Sequence, residues 1–185
     1  MEITDFLDRK LARRFTTYDD DRDGYVERED FRTAAVRCAE EFGHGPDSPA
    51  HQRLLDLALG LWTHLAAAAD VDGDARISEA EYKKAFHAGL LVTEESFEQG
   101  YRPFLDALMA VADTDGDGKL SEDEHVRWTG ALMHLPEADA RAIHRRLDTD
   151  GDGLIGTEDL LTAIHDFYFD DDPAGPGSWL LGDLG

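Results

Sequence analysis

Residues Asp113–Glu124 read DTDGDGKLSEDE, and the first six letters return unchanged at Asp148–Gly153. Carboxylates at alternate places of so short a stretch repel one another, so the arrangement implies a cation among them. Two related windows occur earlier, DDDRDGYVERED from Asp19 to Asp30 and DVDGDARISEAE from Asp70 to Glu81, and the last copy continues as DTDGDGLIGTED to Asp159. All four windows have Asp at the first, third and fifth places and a carboxylate at the twelfth. All four have an aliphatic residue at the eighth: Val26, Ile77, Leu120 and Ile155. That residue is expected to enter the core and to pair, backbone to backbone, with its counterpart in a neighbouring loop.

The chemistry that fits this spacing is capture of a hard divalent cation, calcium above all. Ca²⁺ takes six to eight oxygens at about 2.3–2.6 Å, which alternating Asp residues present on the inside of a tightly wound loop. The seventh place contributes its backbone carbonyl and the twelfth closes the shell from the following helix. The candidate ligands are therefore Asp19, Asp21, Asp23, Tyr25 and Asp30 in the first loop and Asp70, Asp72, Asp74, Arg76 and Glu81 in the second. The third offers Asp113, Asp115, Asp117, Lys119 and Glu124, and the fourth Asp148, Asp150, Asp152, Leu154 and Asp159. Gly24, Gly118 and Gly153 satisfy the sharp turn at the sixth place. The second loop has Ala75 there, and a side chain at positive φ costs about 1 kcal/mol or more. Loop two is thus either a fourth Ca²⁺ site, since its oxygen ligands are complete, or a loop kept to pair with loop one. Loops one and four end in Asp, one methylene shorter than Glu, and are expected to discriminate less against Mg²⁺, which prefers six ligands at shorter distance.

The flanks place each loop between helices. Ile3, Phe6, Leu7, Leu11, Phe15 and Tyr18 recur at three and four residues before loop one, and Phe31, Ala35, Cys38 and Phe42 do so after it, the period of an amphipathic helix. Comparable stripes flank the other loops, so the expectation is an all-α fold of four helix-loop-helix units. A short antiparallel ribbon would join the paired loops. HGPDSP, residues 44–49, reads as a linker between the first two units, and LLVTEES, residues 90–96, as the divide between two halves. Pro103 predicts a helix starting near Arg102, or a kink there. The expected organisation is a first pair of units over 1–92, a second over 93–170 and a tail over 171–185.

The net charge of −23 is concentrated: the four windows, 48 residues, hold 23 of the 41 acids and 4 of the 18 bases. Bound metal would offset much of that repulsion, so folding and metal binding are expected to be coupled. With no basic run, the acidity disfavours a nucleic-acid partner. One cysteine excludes an internal disulfide and suits a reducing compartment. Cys38, in register with the apolar face, is expected to be buried. The first residues show no apolar stretch of the kind a secretory signal needs, and the apolar segment around 54–69 is too interrupted to insert in a membrane. A cytoplasmic protein is expected. The eight His form no HExxH pattern and no Ser is flanked by glycines, so no enzyme activity is expected.

These residues resemble EF-hands, and the whole chain resembles the four-EF-hand sarcoplasmic calcium-binding proteins, bacterial members included. RRFTTYDDDRDG at 13–24, the uneven loop spacing and LLTAIHDFYF at 160–169 carry the likeness. The resemblance implies hands one and two paired, hands three and four paired, and both pairs packed together; members often lose metal at one loop, commonly the second. A Ca²⁺ buffer or transport role with three to four sites is the first expectation, because only Met1, Met109 and Met133 are available for the Met-rich groove that a sensor opens to a protein target. A sensor regulating a partner protein is the alternative. Trp179, Leu180, Leu181 and Leu184 are expected to fold the tail back into a cleft between the hands.

Overall fold

The computed structural model describes residues 4–88, 94–170, 172, 175, 178–182 and 184, with only the backbone of 87 and 94–99. The described residues form eight helices. α1 (Asp5–Tyr18) starts where Thr4 accepts a hydrogen bond from the Leu7 N–H at 3.1 Å, and Asp5 and Asp8 complement the positive end of its dipole. α2 (Arg28–Glu41) is followed by a loop, and α3 (Pro49–Ala69) begins with Ser48 capping the His51 N–H and Pro49 in the first turn, where the missing donor costs nothing. α4 (Glu79–His87), α5 (Glu94–Ala112), α6 (Glu122–Met133), α7 (Glu137–Leu147) and α8 (Thr157–Phe169) complete the set.

Two-residue strands lie between the helices of each unit. β1 (Tyr25–Val26) pairs antiparallel with β2 (Ile77–Ser78), and β3 (Leu120–Ser121) with β4 (Leu154–Ile155). Val26 faces Ile77 and Leu120 faces Ile155 in register, and all four side chains are fully buried. The eighth-place aliphatic residues thus tie the loops together and to the core.

Within this frame α2 packs on α3, α5 on α8 and α6 on α7; between the halves α2 packs on α6, α3 on α5 and α1 on α8. The apolar faces merge into one continuous core that includes Leu11, Leu54, Leu108, Leu160 and Phe167. Polar ties cross the same boundary. Arg37 on α2 donates to both oxygens of Asp20, at 2.6 and 2.9 Å, and to the Ala131 carbonyl on α6; His134 joins Asp20 at 2.9 Å. Arg127 on α6 reaches the Glu41 carboxylate at 3.0 Å and its carbonyl at 2.7 Å. The tail returns to this body: Leu181 is buried, its carbonyl accepts from Arg13 Nε at 2.7 Å, and Arg146 lies over the Trp179 ring.

Of the two alternatives expected at Pro103, the helix start is corrected. α5 does not start near Arg102 but runs from Glu94 through Pro103. Proline removes one hydrogen bond to the preceding turn, a loss outweighed by the packing of Leu105 and Leu108 in the core and by the Arg102 to Glu158 ion pair at 2.6 Å. Of the expected divide at 90–96, residues 90–93 lie outside the described part, and Glu94–Ser96 already belong to α5. Cys38 is fully buried, and burial pushes its thiol up to about 12.

Candidate metal centres

Each loop is wound by its own carboxylates. In loop one the Asp19 oxygens accept from the Asp23 N–H at 3.1 Å and the Gly24 N–H at 3.0 Å. Asp70 accepts from Gly73 and Ala75 at 2.8 and 3.2 Å, Asp113 from Gly116 and Gly118 at 2.7 and 2.8 Å, and Asp148 from Gly151 and Gly153 at 2.8 and 2.9 Å. The third-place Asp21, Asp72, Asp115 and Asp150 accept from the N–H of the fifth residue, and the fifth-place Asp23, Asp74, Asp117 and Asp152 from that of the seventh. Such bonds are the ordinary local preference of Asp in turns. Here they repeat four times and hold the acidic side chains on the inside.

The winding demands left-handed backbone at two places. At the sixth, Gly24, Gly118 and Gly153 have φ of +90°, +85° and +82°, and Ala75 adopts +66°. At the fourth, Gly73, Gly116 and Gly151 lie between +75° and +78°, while Arg22 sits at +62°. Loop two accordingly keeps the first-place hydrogen bonds of loops three and four despite Ala75. The fourth-place requirement escaped sequence reasoning; the glycine shared by three of the windows at that place was the signal for it.

Among the described residues the outcome is four convergences of carboxylate oxygens, each within 4.8 Å of one another: Asp19, Asp21 and Asp30; Asp70, Asp72 and Asp74; Asp113, Asp115 and Glu124; Asp148, Asp150 and Asp152. Such all-oxygen sets fit a hard divalent cation. In loops one and three the twelfth residue joins the convergence. In loops two and four the fifth residue takes that place, and Glu81 and Asp159 are held by the ninth residue, the Ser78 N–H at 3.0 Å and the Gly156 N–H at 2.8 Å. At Ser78 with Glu81 and at Ser121 with Glu124 the bonds run both ways as capping boxes that fix the start of the exit helix; at Gly156, which has no side chain, only the bond to Asp159 is made. Burial opposes charge on Glu124, but hydrogen bonds from Thr114 and Ser121 outweigh it and hold the carboxyl down at about 2. Burial is not offset to the same degree at Asp30, whose carboxyl is pushed up to about 6.

The seventh-place residues Tyr25, Arg76, Lys119 and Leu154 stand at the entrance of the ribbons. Two of them do more than offer a carbonyl. Arg76 Nε reaches Glu27 of loop one at 2.8 Å, and Lys119 Nζ reaches Asp152 of loop four at 2.5 Å. Each pair of loops is thereby crossed by one ion pair, which sequence spacing alone did not disclose.

Comparison with known proteins agrees with this geometry. The family described as EF hand matches residues 11–35 and 105–124. Calerythrin of Saccharopolyspora erythraea is 32% identical over 165 residues, 86% of this chain and 90% of its own. A calcium-binding protein of Streptomyces coelicolor, described as a basis for prokaryotic calcium-mediated regulation, superposes with a TM-score of 0.79 at 39% identity, covering 88% of this chain and 97% of its own. The sarcoplasmic calcium-binding protein of amphioxus shares the fold, with a TM-score of 0.74 at 19% identity over 98% of both chains.

Proposed function

The chain belongs to the calerythrin family of EF-hand calcium-binding proteins, and on that premise we propose that it is a cytoplasmic Ca²⁺ buffer or transport protein without enzymatic activity. In this reading each loop offers its first-, third- and fifth-place Asp, the carbonyl of Tyr25, Arg76, Lys119 or Leu154, and its terminal carboxylate. Glu124 has the reach for two-oxygen contact. Asp30 and Asp159, shorter by a methylene, accept Mg²⁺ more readily. Loop two is filled as well, because its first Asp accepts from the fourth and sixth residues as in loops three and four.

The observation that carries the buffer reading is that the faces a sensor would open are already engaged. α2 and α6 are joined through Arg37, Asp20 and His134, and Leu181 of the tail is buried in the common core. A sensor gains its signal by exposing an apolar groove on loading. The sensor reading keeps one specific support, the description of the Streptomyces coelicolor relative as a protein of prokaryotic calcium-mediated regulation.

A Ca²⁺ titration at fixed physiological Mg²⁺, followed by calorimetry and by hydrophobic-dye fluorescence on the same samples, separates these. Four ions with flat or falling dye signal is the expected result. A stoichiometry of three would make loop two a pairing element only. A steep rise in dye signal over a narrow Ca²⁺ range would overturn the buffer reading in favour of the sensor.

A further inference from the structure

Lys119 stands at the seventh place of loop three, where its N–H donates to Asp117 Oδ1 at 2.8 Å. Its side chain leaves that loop. The ammonium crosses to loop four and donates to Asp152 Oδ2 at 2.5 Å, while the other oxygen of Asp152 accepts from the Leu154 N–H at 2.8 Å. Asp152 is the fifth-place residue of loop four and one of the three carboxylates that converge there. A cation supplied by the protein itself therefore sits on an oxygen set suited to a metal ion. The pairing of β3 with β4 holds the two loops side by side, within reach of a lysine's flexible four-carbon stem.

The other loops lack this contact. Leu154 and Tyr25, at the matching places of loops four and one, are not basic. Arg76, at the matching place of loop two, crosses to loop one but lands on Glu27 at 2.8 Å, the ninth residue, outside the converging carboxylates. Among the described residues Asp152 is thus the one candidate ligand carboxylate in an ion pair with a basic side chain.

We propose that Lys119 sets the Ca²⁺ affinity of loop four, acting across the ribbon as a competing cation on Asp152. The proposal rests on the reading of loop four as a Ca²⁺ site. An ion entering loop four either takes Asp152 from the ammonium, at the cost of the ion pair, or shares it with a positive charge close by, at the cost of repulsion. Both lower its binding. Each side chain of the pair keeps 40% of its surface, so water screens the effect and its size is about three- to tenfold in affinity. Loop three meets no such competitor and ends in Glu124, which has the reach for two-oxygen contact. Lys119 accordingly widens the gap between the two sites, and the pair takes up Ca²⁺ over a broader span of concentration than two equal loops would.

The test is a chelator-buffered Ca²⁺ titration of the full chain by NMR, following the amide signals of Gly118 for loop three and Gly153 for loop four. Lys119→Met keeps the backbone carbonyl and most of the stem and removes the charge; Lys119→Gln repeats the loss of charge with a polar end. In both, the free Ca²⁺ at the Gly153 midpoint should fall about three- to tenfold, and the Gly118 midpoint should move less. Lys119→Arg retains the charge and should stay within about twofold of the unaltered chain. A Gly153 midpoint unchanged by loss of the charge, the same fall in Lys119→Arg, or an equal fall at Gly118 would each overturn the proposal while leaving loop four a Ca²⁺ site. A Gly153 signal that ignores Ca²⁺ in the unaltered chain would instead overturn the reading of loop four as a site, and the proposal with it.

Discussion

Ala75 holds a φ of +66° where three other loops place glycine. The left-handed region costs an L-residue about 1–2 kcal/mol, and here it is imposed from both sides, by the Ala75 N–H reaching Asp70 and by Ile77 fixed in its ribbon. Glycine would remove the strain but bring more freedom to the unfolded chain, which takes back part of the gain. Ala75→Gly should therefore raise the unfolding free energy by about 0.5–1 kcal/mol, read by urea unfolding of the Ca²⁺-saturated protein; a loss of stability would mean that the left-handed turn carries no strain. A second residue, Cys38, tests the core. It has no accessible surface and a thiol pushed up to about 12 by burial, so the reactive thiolate is scarce as well as shielded. Iodoacetamide at pH 8 should label it only once denaturant unfolds the chain, and rapid labelling of the native protein would show that α2 opens locally.

At the scale of the elements, the loop is the part the sequence announces most clearly, because everything it needs lies within twelve consecutive residues. Alternating Asp, the sixth-place glycine and the eighth-place aliphatic residue predicted the winding, the ribbon and the register of Val26 with Ile77. Helices flanking the loops were legible for the same reason, since their period is local. What lay hidden depends on distant partners. Asp20, at a place where no ligand is expected, receives Arg37 and, from 114 residues away, His134. Lys10 lies fully buried between Phe6 and Phe167 with its Nζ on the Asp170 carbonyl, and α5 continues through Pro103 because of what it packs on. No period encodes such contacts. Arg37 offers the cleanest check of how much they matter. Its hydrogen bonds to the Asp20 carboxylate and the Ala131 carbonyl join α2 to loop one and to α6, with Asp20 mostly shielded. Arg37→Met keeps the stem and removes the charge, leaving Asp20 with His134. A loss of about 1–3 kcal/mol is expected with calorimetric Ca²⁺ stoichiometry unchanged; a lost ion would instead place Arg37 among the determinants of loop one.

At the scale of the whole molecule, two opposing quantities set the stability: an apolar core shared by both halves and a charge of −23 carried mainly by the loops. The tail contributes to the first. Removing residues 178–185 deletes the buried Leu181 and the half-buried Trp179 and Leu180, so a loss of about 2–4 kcal/mol and a rise in hydrophobic-dye fluorescence are expected; an unchanged dye signal would show that these side chains cover nothing. Calcium acts on the second quantity. The loops carry most of the excess acid, and within each the convergent oxygens lie within 4.8 Å, so every bound ion brings two positive charges to where repulsion is densest. Dissolved salt relieves the same repulsion less specifically, because the screening length falls from about 10 Å at 0.1 M to about 3 Å at 1 M. Salt also weakens exposed ion pairs such as Lys119 with Asp152, an effect of opposite sign but worth only about 0–1 kcal/mol each. The chelated protein should accordingly gain melting temperature between 0.1 and 1 M NaCl, and the Ca²⁺-loaded protein should gain distinctly less. Equal gains in the two forms would mean that the loops' repulsion is not what calcium relieves, and that its stabilisation comes from winding the loops alone.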